Sequence, residues 1–402
     1  MNLSKIFPKE RLLDNPIFRL AYSHDASIYR LVPKAVVRPR DEKEVKSLLE
    51  YCRDMHTPVT FRAGGTSLSG QSITEGIIAE IIQNWEQHKE MNSGKQIELQ
   101  PGVIGARANI YLKPYQRIIG PDPASINVAR IGGIVSNNSS GMVCGVDNNT
   151  YHTLDSIRFI LSSGHTYDTS VQSHYQIFNE KESVLSEAIL QCKREIESNH
   201  NLVNKIRAKY RIKNTLGYSL NSFLDYEHPL DIFAHLLVGA EGTLAFISQV
   251  TLNTVPDPPR KITGLVLFDS VDKTIQALPM LIDAGADAVE LLDDASLRTV
   301  RYLKTPLFDP KIIRTDMAGL LFEFQKYNQH SIDELVKNIP IELQKIGCVL
   351  SFGPTEDEAT RIQLWNLRKG LYPTVGAMRE KGTSVITEDL CYHYNDLPEV
   401  IK

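Results

Sequence analysis

The sequence has few of the features that mark a metalloprotein, a nucleic-acid-binding protein or a membrane protein. Its formal net charge is −4, and because phosphate neutralisation needs an excess of lysine and arginine, we expect no nucleic-acid partner. No apolar run approaches the ~20 residues of a membrane span, so we expect neither a span nor a signal peptide. The cysteines include no Cys-x-x-Cys pair: Cys52, Cys144, Cys192, Cys348 and Cys391. This scatter predicts reduced thiols in a cytoplasmic protein, and no metal site.

The composition itself is typical of a folded, globular protein. Of the 402 residues, 42% are hydrophobic and 23% are charged, and a chain of this length usually forms two or three domains. The cluster Pro256-Asp257-Pro258-Pro259 breaks regular structure and marks the predicted domain boundary. We therefore expect an N-terminal extension over residues 1–30, one domain over 31–255 and a second over 256–402.

Local patterns before residue 62 predict a strand, a helix and a second strand. Val36 and Val37 form the first strand. Asp41 is a good N-cap, and the apolar residues after it share one helical stripe, which predicts a helix over 41–55. Residues 59–61 form the second strand and lead into a glycine-rich loop.

Later patterns predict an α+β protein. The first domain should add a hairpin over 157–168, a helix over 183–198 and strands at 236–238 and 246–252. After the proline cluster, two β-α-β units follow in tandem, with strands at 262–268, 288–292, 319–324 and 348–352 and helices at 271–284 and 332–346. Such units suggest a ferredoxin-like layer of helices on an antiparallel sheet.

Loop 1, residues 62–70, combines three glycines with three hydroxyl residues and one arginine, directly after a strand. Glycine lets consecutive backbone N–H groups point into one concavity, where an anion such as a pyrophosphate can be held. The spacing matches neither the Walker loop nor the dinucleotide fingerprint. A phosphate-binding loop is the preferred interpretation, and a flexible surface turn is the alternative.

Two more runs of small residues resemble loop 1 in composition. Loop 2, residues 131–141, follows the Gly120-Pro121-Asp122-Pro123-Ala124-Ser125 segment, and loop 3 covers residues 239–247. Small side chains let a bulky planar ligand approach the backbone, while Asn and Ser offer adaptable donors and acceptors. Three such loops bordered by strands suit an extended dinucleotide better than a lone phosphate.

These loops resemble the FAD-binding domain of the vanillyl-alcohol-oxidase (PCMH) type flavoproteins. The resemblance is strongest to bacterial proteins that join a D-lactate or D-2-hydroxyglutarate dehydrogenase-like flavin domain to a C-terminal iron–sulfur domain. Three further motifs carry it: residues 137–142, Asn149-Thr150-Tyr151 and residues 365–373. It implies a FAD-binding domain of two α/β subdomains over 31–255 and a ferredoxin-like α+β cap domain over 256–402.

The resemblance also implies a role for each loop. Loop 1 would hold the FAD pyrophosphate, loop 2 and residues 121–125 would line the flavin and ribityl chain, and loop 3 would complete the adenine or ribose side. Relatives with covalent FAD carry a histidine where this sequence has Thr66, so we expect non-covalent FAD. The implied cofactor-binding residues are Arg62, Gly64, Gly65, Thr66, Ser67, Leu68, Ser69, Gly70, Pro121, Asp122, Ser125, Gly132, Gly133, Ser136, Asn137, Ser140, Gly141, Glu241, Gly242 and Ile247.

For the substrate, Arg368 is the favoured carboxylate-binding residue, because a guanidinium grips a carboxylate through two parallel hydrogen bonds. The alternative is a solvated helix arginine paired with a nearby acid. Tyr372, one helical turn on, is a weaker companion. The resemblance implies oxidation of a small D-2-hydroxy acid by hydride transfer to the flavin.

The general base is not assigned, and we expect no metal site. In the family the general base lies in a histidine motif downstream of the Thr387-Glu388-Asp389 segment. This sequence is therefore expected to be an N-terminal portion of weak or no activity, with the iron–sulfur part absent. Glu388 and Asp389 could line the site or end a strand. The electron acceptor is an iron–sulfur domain or a quinone, and peripheral attachment to the inner membrane stays open. The alternatives are another alcohol or sugar substrate, or a non-catalytic FAD-binding module.

Overall fold

The computed structural model describes residues 3–302, 308–385, 391–392 and 396–400, with the backbone alone at residues 301, 302, 372, 373, 375, 378 and 398. The chain divides into two compact units, Met1–Pro256 and Asp257–Lys402. Among the described residues, no helix is both long and apolar enough to cross a membrane.

The first unit begins with a four-stranded sheet in the order β1-β2-β4-β3. Its elements in chain order are α1 (Leu3–Ile6), β1 (Leu12–Leu13), α2 (Pro16–Ala21), β2 (Ala35–Val37), α3 (Glu42–Asp54), β3 (Val59–Arg62) and β4 (Ile77–Glu80). Strand β4 runs parallel to both β2 and β3, and α3 connects β2 to β3, which lie on either side of β4. Asp41 caps α3 as predicted, accepting the backbone N–H of Glu44 at 2.9 Å.

A second, six-stranded sheet follows in the order β5-β6-β10-β8-β9, with β7 also paired to β10. All of its pairs are antiparallel. The elements in chain order are β5 (His88–Met91), β6 (Gln96–Leu99), α4 (Gly105–Leu112), β7 (Arg117–Ile119), α5 (Ile131–Ser136), α6 (Thr150–Thr153), β8 (Leu154–Ile160), β9 (Thr166–Asp168), α7 (Gln172–Lys181), α8 (Ser183–Ser198), α9 (His200–Lys209), α10 (Ser222–Asp225), α11 (Pro229–Leu237) and β10 (Phe246–Pro256).

Apolar and ionic contacts join the two sheets of the first unit. Trp85 and Phe246 pack edge to face with ring centroids 5.2 Å apart, in a buried cluster that also contains Val45 of α3 and Ile160 of β8. The Trp85 indole N–H donates to the carbonyl of Pro39 at 2.7 Å. The two sheets therefore share one interior. In it Phe61, just before loop 1, contacts Phe246, near the end of loop 3, with ring centroids 4.5 Å apart.

The strand predicted at 236–238 is wrong, because residues 236 and 237 end helix α11. Pro229 occupies the first turn, where its missing N–H costs nothing, and His228 Nδ1 accepts the backbone N–H of Leu230 at 3.1 Å. Every residue of α11 except Asp231 is buried. A short helix that is apolar on all sides has no amphipathic stripe, so its last residues read as a buried strand.

The second unit is one antiparallel sheet in the order β12-β13-β11-β14 with helices on both faces. Val266 and Phe268 of β11 pack with α12 and α14, whereas Leu265 and Leu267 face the opposite core with α15. The ferredoxin-like prediction is confirmed. The elements are β11 (Arg260–Phe268), α12 (Val271–Asp283), β12 (Ala288–Leu292), α13 (Asp294–Arg298), β13 (Ala318–Lys326), α14 (Gln329–Ile346), β14 (Leu350–Thr355), α15 (Glu358–Lys369), α16 (Leu371–Met378) and α17 (Leu397–Val400).

Candidate functional site

Loop 1 leaves β3 in a conformation that needs glycine at three positions. Gly65 and Gly70 have φ angles of +64° and +82°, a region that other residues avoid. A Cβ on Gly64 would lie 2.8 Å from the carbonyl oxygen of Val128. Gly64 therefore packs directly on the chain that leads into loop 2, and the sequence's glycine spacing is explained by backbone shape and close packing.

Loop 2 contains two adjacent glycines with opposite surroundings. A Cβ on Gly132 would lie 2.8 Å from Cβ of Pro101, whereas a Cβ on Gly133 would meet nothing within 4 Å. One glycine of α5 thus lets the helix pack tightly, and the next leaves open space beside the backbone. The open space beside Gly133 leaves room for a ligand to approach the backbone.

Asp122 ties the segment before loop 2 to the residues that follow it. Its carboxylate accepts the backbone N–H groups of Met142, Val143 and Cys144 at 3.0 to 3.2 Å. A Cβ on Gly141 would lie 1.9 Å from Asp122 Oδ1, so only glycine fits there. Burial raises the pKa of Asp122, an effect that these hydrogen bonds oppose.

Loop 3 turns through three left-handed positions within four residues. Gly239, Glu241 and Gly242 have φ angles of 92°, 53° and 73°. A Cβ on Gly242, like one on Gly133, would meet nothing within 4 Å. The loop therefore exposes backbone to open space at Gly242, and it directs the Glu241 side chain inward.

Glu241 is the point where the three loops meet. Its carboxylate accepts from Asn137 Nδ2 of loop 2 at 2.7 Å, and its backbone N–H donates to Ser136 O at 2.8 Å. It also hydrogen-bonds Gln71, which follows loop 1, and Gln71 Oε1 accepts the backbone N–H of Ser69 at 3.2 Å. Burial raises the pKa of Glu241, opposed by its two amide partners. The structure thus brings the three predicted loops together.

Some predicted cofactor-binding residues face other partners. Ile247 is buried in the core of the six-stranded sheet, opposite Phe159 of β8. The Arg62 guanidinium donates to the carbonyl of Tyr22 at 3.2 Å and lies against Gly65, where a Cβ would be 2.7 Å from its Nη2. The cofactor-binding roles of Ile247 and Arg62 stay predictions.

A segment that was not predicted to belong to the site, residues 214–218, lies beside loop 3. The Tyr218 hydroxyl is 2.9 Å from Thr243 Oγ1, and a Cβ on Gly239 would be 3.5 Å from Gly217 O. The available signal was the run Asn214-Thr215-Leu216-Gly217-Tyr218, in which polar residues precede a turn-forming glycine.

In the second unit, Arg368 forms an ion pair with a nearby acid, which was the alternative to substrate binding. Its Nε donates to Glu290 Oε2 of β12 at 2.7 Å. Its role in substrate binding stays a prediction. Tyr372 lies in α16, and its side chain is outside the described part, as are Glu388 and Asp389.

A buried carboxylate near this pair was also missed. Glu323 of β13 is 4% exposed and accepts from the Trp365 indole at 2.6 Å, Thr263 Oγ1 at 2.7 Å and Arg361 at 3.3 Å. Burial raises the pKa of Glu323, but these and a bond from Gln325 outweigh it and hold the pKa below its usual range. Within the described ranges, no His, Cys, Asp or Glu group is arranged to hold a metal ion.

Comparison with known families identifies the fold that carries these loops. Residues 33–170 match the FAD binding domain model, and residues 257–402 match the model of the FAD linked oxidases, C-terminal domain. The chain belongs to the FAD-linked oxidases. Loops 1 and 2 lie inside the matched FAD-binding region, which supports FAD as the ligand. Loop 3 lies outside that region and contacts loop 2 through Glu241.

The curated relatives of this chain are named for hydroxy-acid chemistry. The chain is 27% identical to the D-2-hydroxyglutarate dehydrogenase of Pantoea ananatis, over 87% of this chain and 36% of that protein. It is 25% identical to the glycolate oxidase subunit GlcD of Escherichia coli, over 87% of this chain and 59% of that one. The chain spans about a third of the first relative's length.

Solved structures show the same fold at lower sequence identity. An alkyldihydroxyacetonephosphate synthase superposes with a TM-score of 0.59 at 14% identity, covering 91% of this chain and 62% of that one. A p-cresol methylhydroxylase with bound substrate gives a TM-score of 0.61 at 13% identity, covering 92% and 67%. The predicted PCMH-type α+β fold is therefore confirmed.

Proposed function

We propose that this FAD-linked oxidase binds FAD non-covalently along its three loops and uses it to oxidise a small D-2-hydroxy acid. The observation that carries the proposal is the Glu241 junction, which brings loops 1, 2 and 3 together beside two glycines that face open space, Gly133 and Gly242. A planar ring system and a phosphate chain can approach the backbone closely at such glycines, because no side chain is in the way. The residues present therefore fit FAD.

Each loop has its own part in holding the cofactor. Residues 64–69 would offer backbone N–H groups to the pyrophosphate. Asp122 would keep residues 141–144 folded, so that Pro121, Gly132, Gly133, Ser136 and Ser140 line the flavin and ribityl chain. Glu241 and Gly242 would border the adenine or ribose side. No histidine takes the place of Thr66, which favours a dissociable cofactor.

The second unit would supply substrate recognition. When bound, FAD would supply the hydride-accepting chemistry, which is the cofactor's own. Arg368 would bind the substrate carboxylate, because a guanidinium has five N–H donors and Glu290 takes Nε. Tyr372 would be its companion. The general base is unassigned, and electrons would pass to an iron–sulfur domain or a quinone.

The cofactor part is tested by filling the open space beside α5. We expect Gly133→Leu to abolish FAD binding, because the side chain would occupy the cofactor's space. Gly376→Leu is the matched control: Gly376 is also helical with nothing within 4 Å, and it should keep FAD. The measurement is absorbance at roughly 350–500 nm and release of flavin on denaturation. Equal flavin content in Gly133→Leu and wild type would contradict the proposed site.

The substrate part is tested by anaerobic reduction of the bound flavin. D-lactate, D-2-hydroxyglutarate and glycolate are the probes, since relatives are named for two of them. Arg368→Met should weaken apparent substrate affinity about 10- to 100-fold, the cost of losing a charged hydrogen-bonding partner. Arg298→Met, which breaks the pair of Arg298 with Asp294, should leave affinity unchanged. If Arg368→Met also leaves it unchanged, Arg368 is not the carboxylate-binding residue.

The remaining outcomes separate the alternatives. Reduction by a sugar or another alcohol, and by none of the three acids, would support the same fold with a different substrate. Flavin that binds but is reduced by none of these compounds would support a non-catalytic FAD-binding module.

A further inference from the structure

A short segment before the first parallel strand crosses loop 1. This segment, residues 22–31, connects α2 to β2 and is called the strap below. It closes on itself through a hydrogen bond from the backbone N–H of Leu31 to the carbonyl of Ser23 at 3.1 Å. Ser23 is fully buried, and its hydroxyl donates to Leu20 O at 2.7 Å. The strap is therefore a compact loop with a fixed base.

The strap contacts the beginning and the middle of loop 1. The Arg62 guanidinium donates to Tyr22 O at 3.2 Å and lies 5.5 Å from the centroid of the Tyr22 ring. The backbone N–H of Ala26 donates to Gly65 O at 3.1 Å. Because the guanidinium also lies against Gly65, Arg62 is held between the strap and the turn of loop 1.

The strap also contacts the end of loop 1. A Cβ on Gly70 would lie 3.1 Å from Cδ2 of Tyr29, so the tyrosine ring rests on that glycine. Asp25 Oδ2 accepts from Ser72 Oγ at 3.0 Å, and Asp25 Oδ1 accepts the backbone N–H of Ser27 at 2.9 Å. Asp25 therefore links the strap's own turn to Ser72, two residues past the end of loop 1.

The strap is anchored to the centre of the parallel sheet. The Tyr22 hydroxyl donates to Glu80 at the end of β4 and accepts from Arg38 Nη2 at 3.1 Å. Arg38 and Glu80 also form an ion pair, and Glu80 is 8% exposed. Movement of the strap is resisted by this buried cluster, so its contacts with loop 1 have a rigid support.

We infer that the strap is part of the cofactor site and that Asp25 is a positioning residue, which holds loop 1 in the shape that presents its backbone N–H groups to the FAD pyrophosphate. The inference rests on the proposed function. A loop with three glycines loses much conformational freedom when it becomes ordered, and ordering at the moment of binding weakens affinity. Contacts that order loop 1 beforehand remove that cost.

The test compares FAD affinity and loop protection in the 402-residue chain. Asp25→Ala and Ser72→Ala remove the two ends of one hydrogen bond. We expect each to weaken the Kd for FAD about tenfold, and the double variant to lose no more than the larger single loss. Asp25→Asn keeps an oxygen that can accept the Ser27 N–H, and its amide N–H can donate to Ser72 Oγ, so it should recover most of the affinity. The Kd is measured by flavin fluorescence on titrating cofactor-free protein with FAD.

Amide hydrogen exchange separates positioning from general destabilisation. In Asp25→Ala, exchange at residues 64–70 should rise while exchange in β4 stays unchanged. Tyr29→Ala removes the contact with Gly70 and leaves the Asp25 hydrogen bonds in place, so it tests the strap by a second route. Ile17→Ala is the control, since Ile17 lies in α2 outside the strap and is 76% exposed.

The outcomes distinguish the strap from FAD binding itself. If Asp25→Ala, Ser72→Ala and Tyr29→Ala all keep the wild-type Kd for FAD, the strap has no role in FAD binding. The proposed FAD site would not be affected by that result. Additive losses in the double variant, or a rise in exchange throughout the first unit, would overturn positioning by Asp25. Failure of the wild-type chain to bind FAD would overturn the proposed function. In that case, unchanged amide exchange of loop 1 in the variants would show that the strap does not order loop 1 either.

Discussion

At the residue scale, His235 is a buried histidine between aromatic rings. Its ring stacks on Tyr226 with centroids 3.8 Å apart, and the Tyr151 ring meets it edge-on at 5.1 Å. Nδ1 lies 2.9 Å from the carbonyl of Asp231, and Nε2 is buried without a partner among the described residues. Burial lowers the pKa of His235, and the nearby Asp231 and Asp225 oppose this only in part.

We therefore predict that the first unit loses stability in mild acid. The unfolded chain takes up a proton on His235 near pH ~6.5, whereas the folded chain resists it. The contribution of His235 is thus fully present above pH ~6.5 and is lost as the pH falls below that value. The free energy of unfolding in urea, measured at pH 7.5 and at pH 5.5, should differ less between the two pH values in His235→Gln than in wild type.

The control for this prediction is a histidine on the surface. His200→Gln makes the same substitution at an exposed position at the start of α9. An equal loss of pH dependence in both variants, or in neither, would show that His235 is not the responsible group.

At the element scale, a bidentate ion pair connects α3 to the six-stranded sheet. Arg158 of β8 donates to both carboxylate oxygens of Glu42, at 2.7 and 2.9 Å, and Ser248 Oγ of β10 donates to the same group at 2.7 Å. Burial raises the pKa of Glu42, but these hydrogen bonds outweigh it and hold the pKa below its usual range. The pair therefore remains ionised at neutral pH.

We predict that Arg158→Met costs about 1–3 kcal/mol of unfolding free energy, because it leaves a half-buried carboxylate with one fewer charged donor. Urea unfolding monitored by tryptophan fluorescence suits this test, since Trp85 lies between the two sheets. Arg194→Met is the matched control: it breaks the exposed pair with Glu187 and should cost less than ~1 kcal/mol. Similar losses in the two variants would mean that the bidentate pair contributes no more than a surface contact.

Most elements could be predicted from the sequence where a local signal exists. The Asp41 cap, the hairpin turning at Gly164 and the helix Ser183–Ser198 all follow from caps, turn residues or a single apolar stripe. The end of α11 could not, because a helix buried on all sides gives no such periodicity. Strand β10 also runs four residues past the predicted end at 252, since pairing with β7 extends it.

The sequence indicates the three loops of the candidate site but not the contacts that join them. Glycine density located loops 1, 2 and 3, but nothing local indicates that Glu241 would accept from Asn137, about a hundred positions earlier. The same limit explains why the identity of the acid that pairs with Arg368, and the contacts of Asp25 and Tyr29, were not predicted. Contacts distant in the chain depend on topology, which local patterns do not specify.

At the scale of the whole molecule, each compact unit has its own apolar core. A ligand stabilises the structure that binds it by mass action. We predict that FAD at about 100 times its Kd raises the opening free energy of the first unit by about 2.7 kcal/mol. Native-state hydrogen exchange reports this separately for β6 and β10 of the first unit and β13 of the second.

The second unit provides the comparison within the same sample. Exchange in β13 should respond to FAD less than exchange in β10, because all three loops belong to the first unit. Equal slowing in both strands would mean that FAD contacts both units or that they open together.

Strand β10 has a consequence for how the protein is made. It pairs with β6, β7 and β8, yet it is the last strand of its unit to leave the ribosome. Until residues 246–256 emerge, those three earlier strands lack their common partner, and such distant pairing is slow to form. A nascent chain therefore cannot complete the proposed flavin site until residues 246–256 have emerged, and free FAD can stabilise the first unit only after that point.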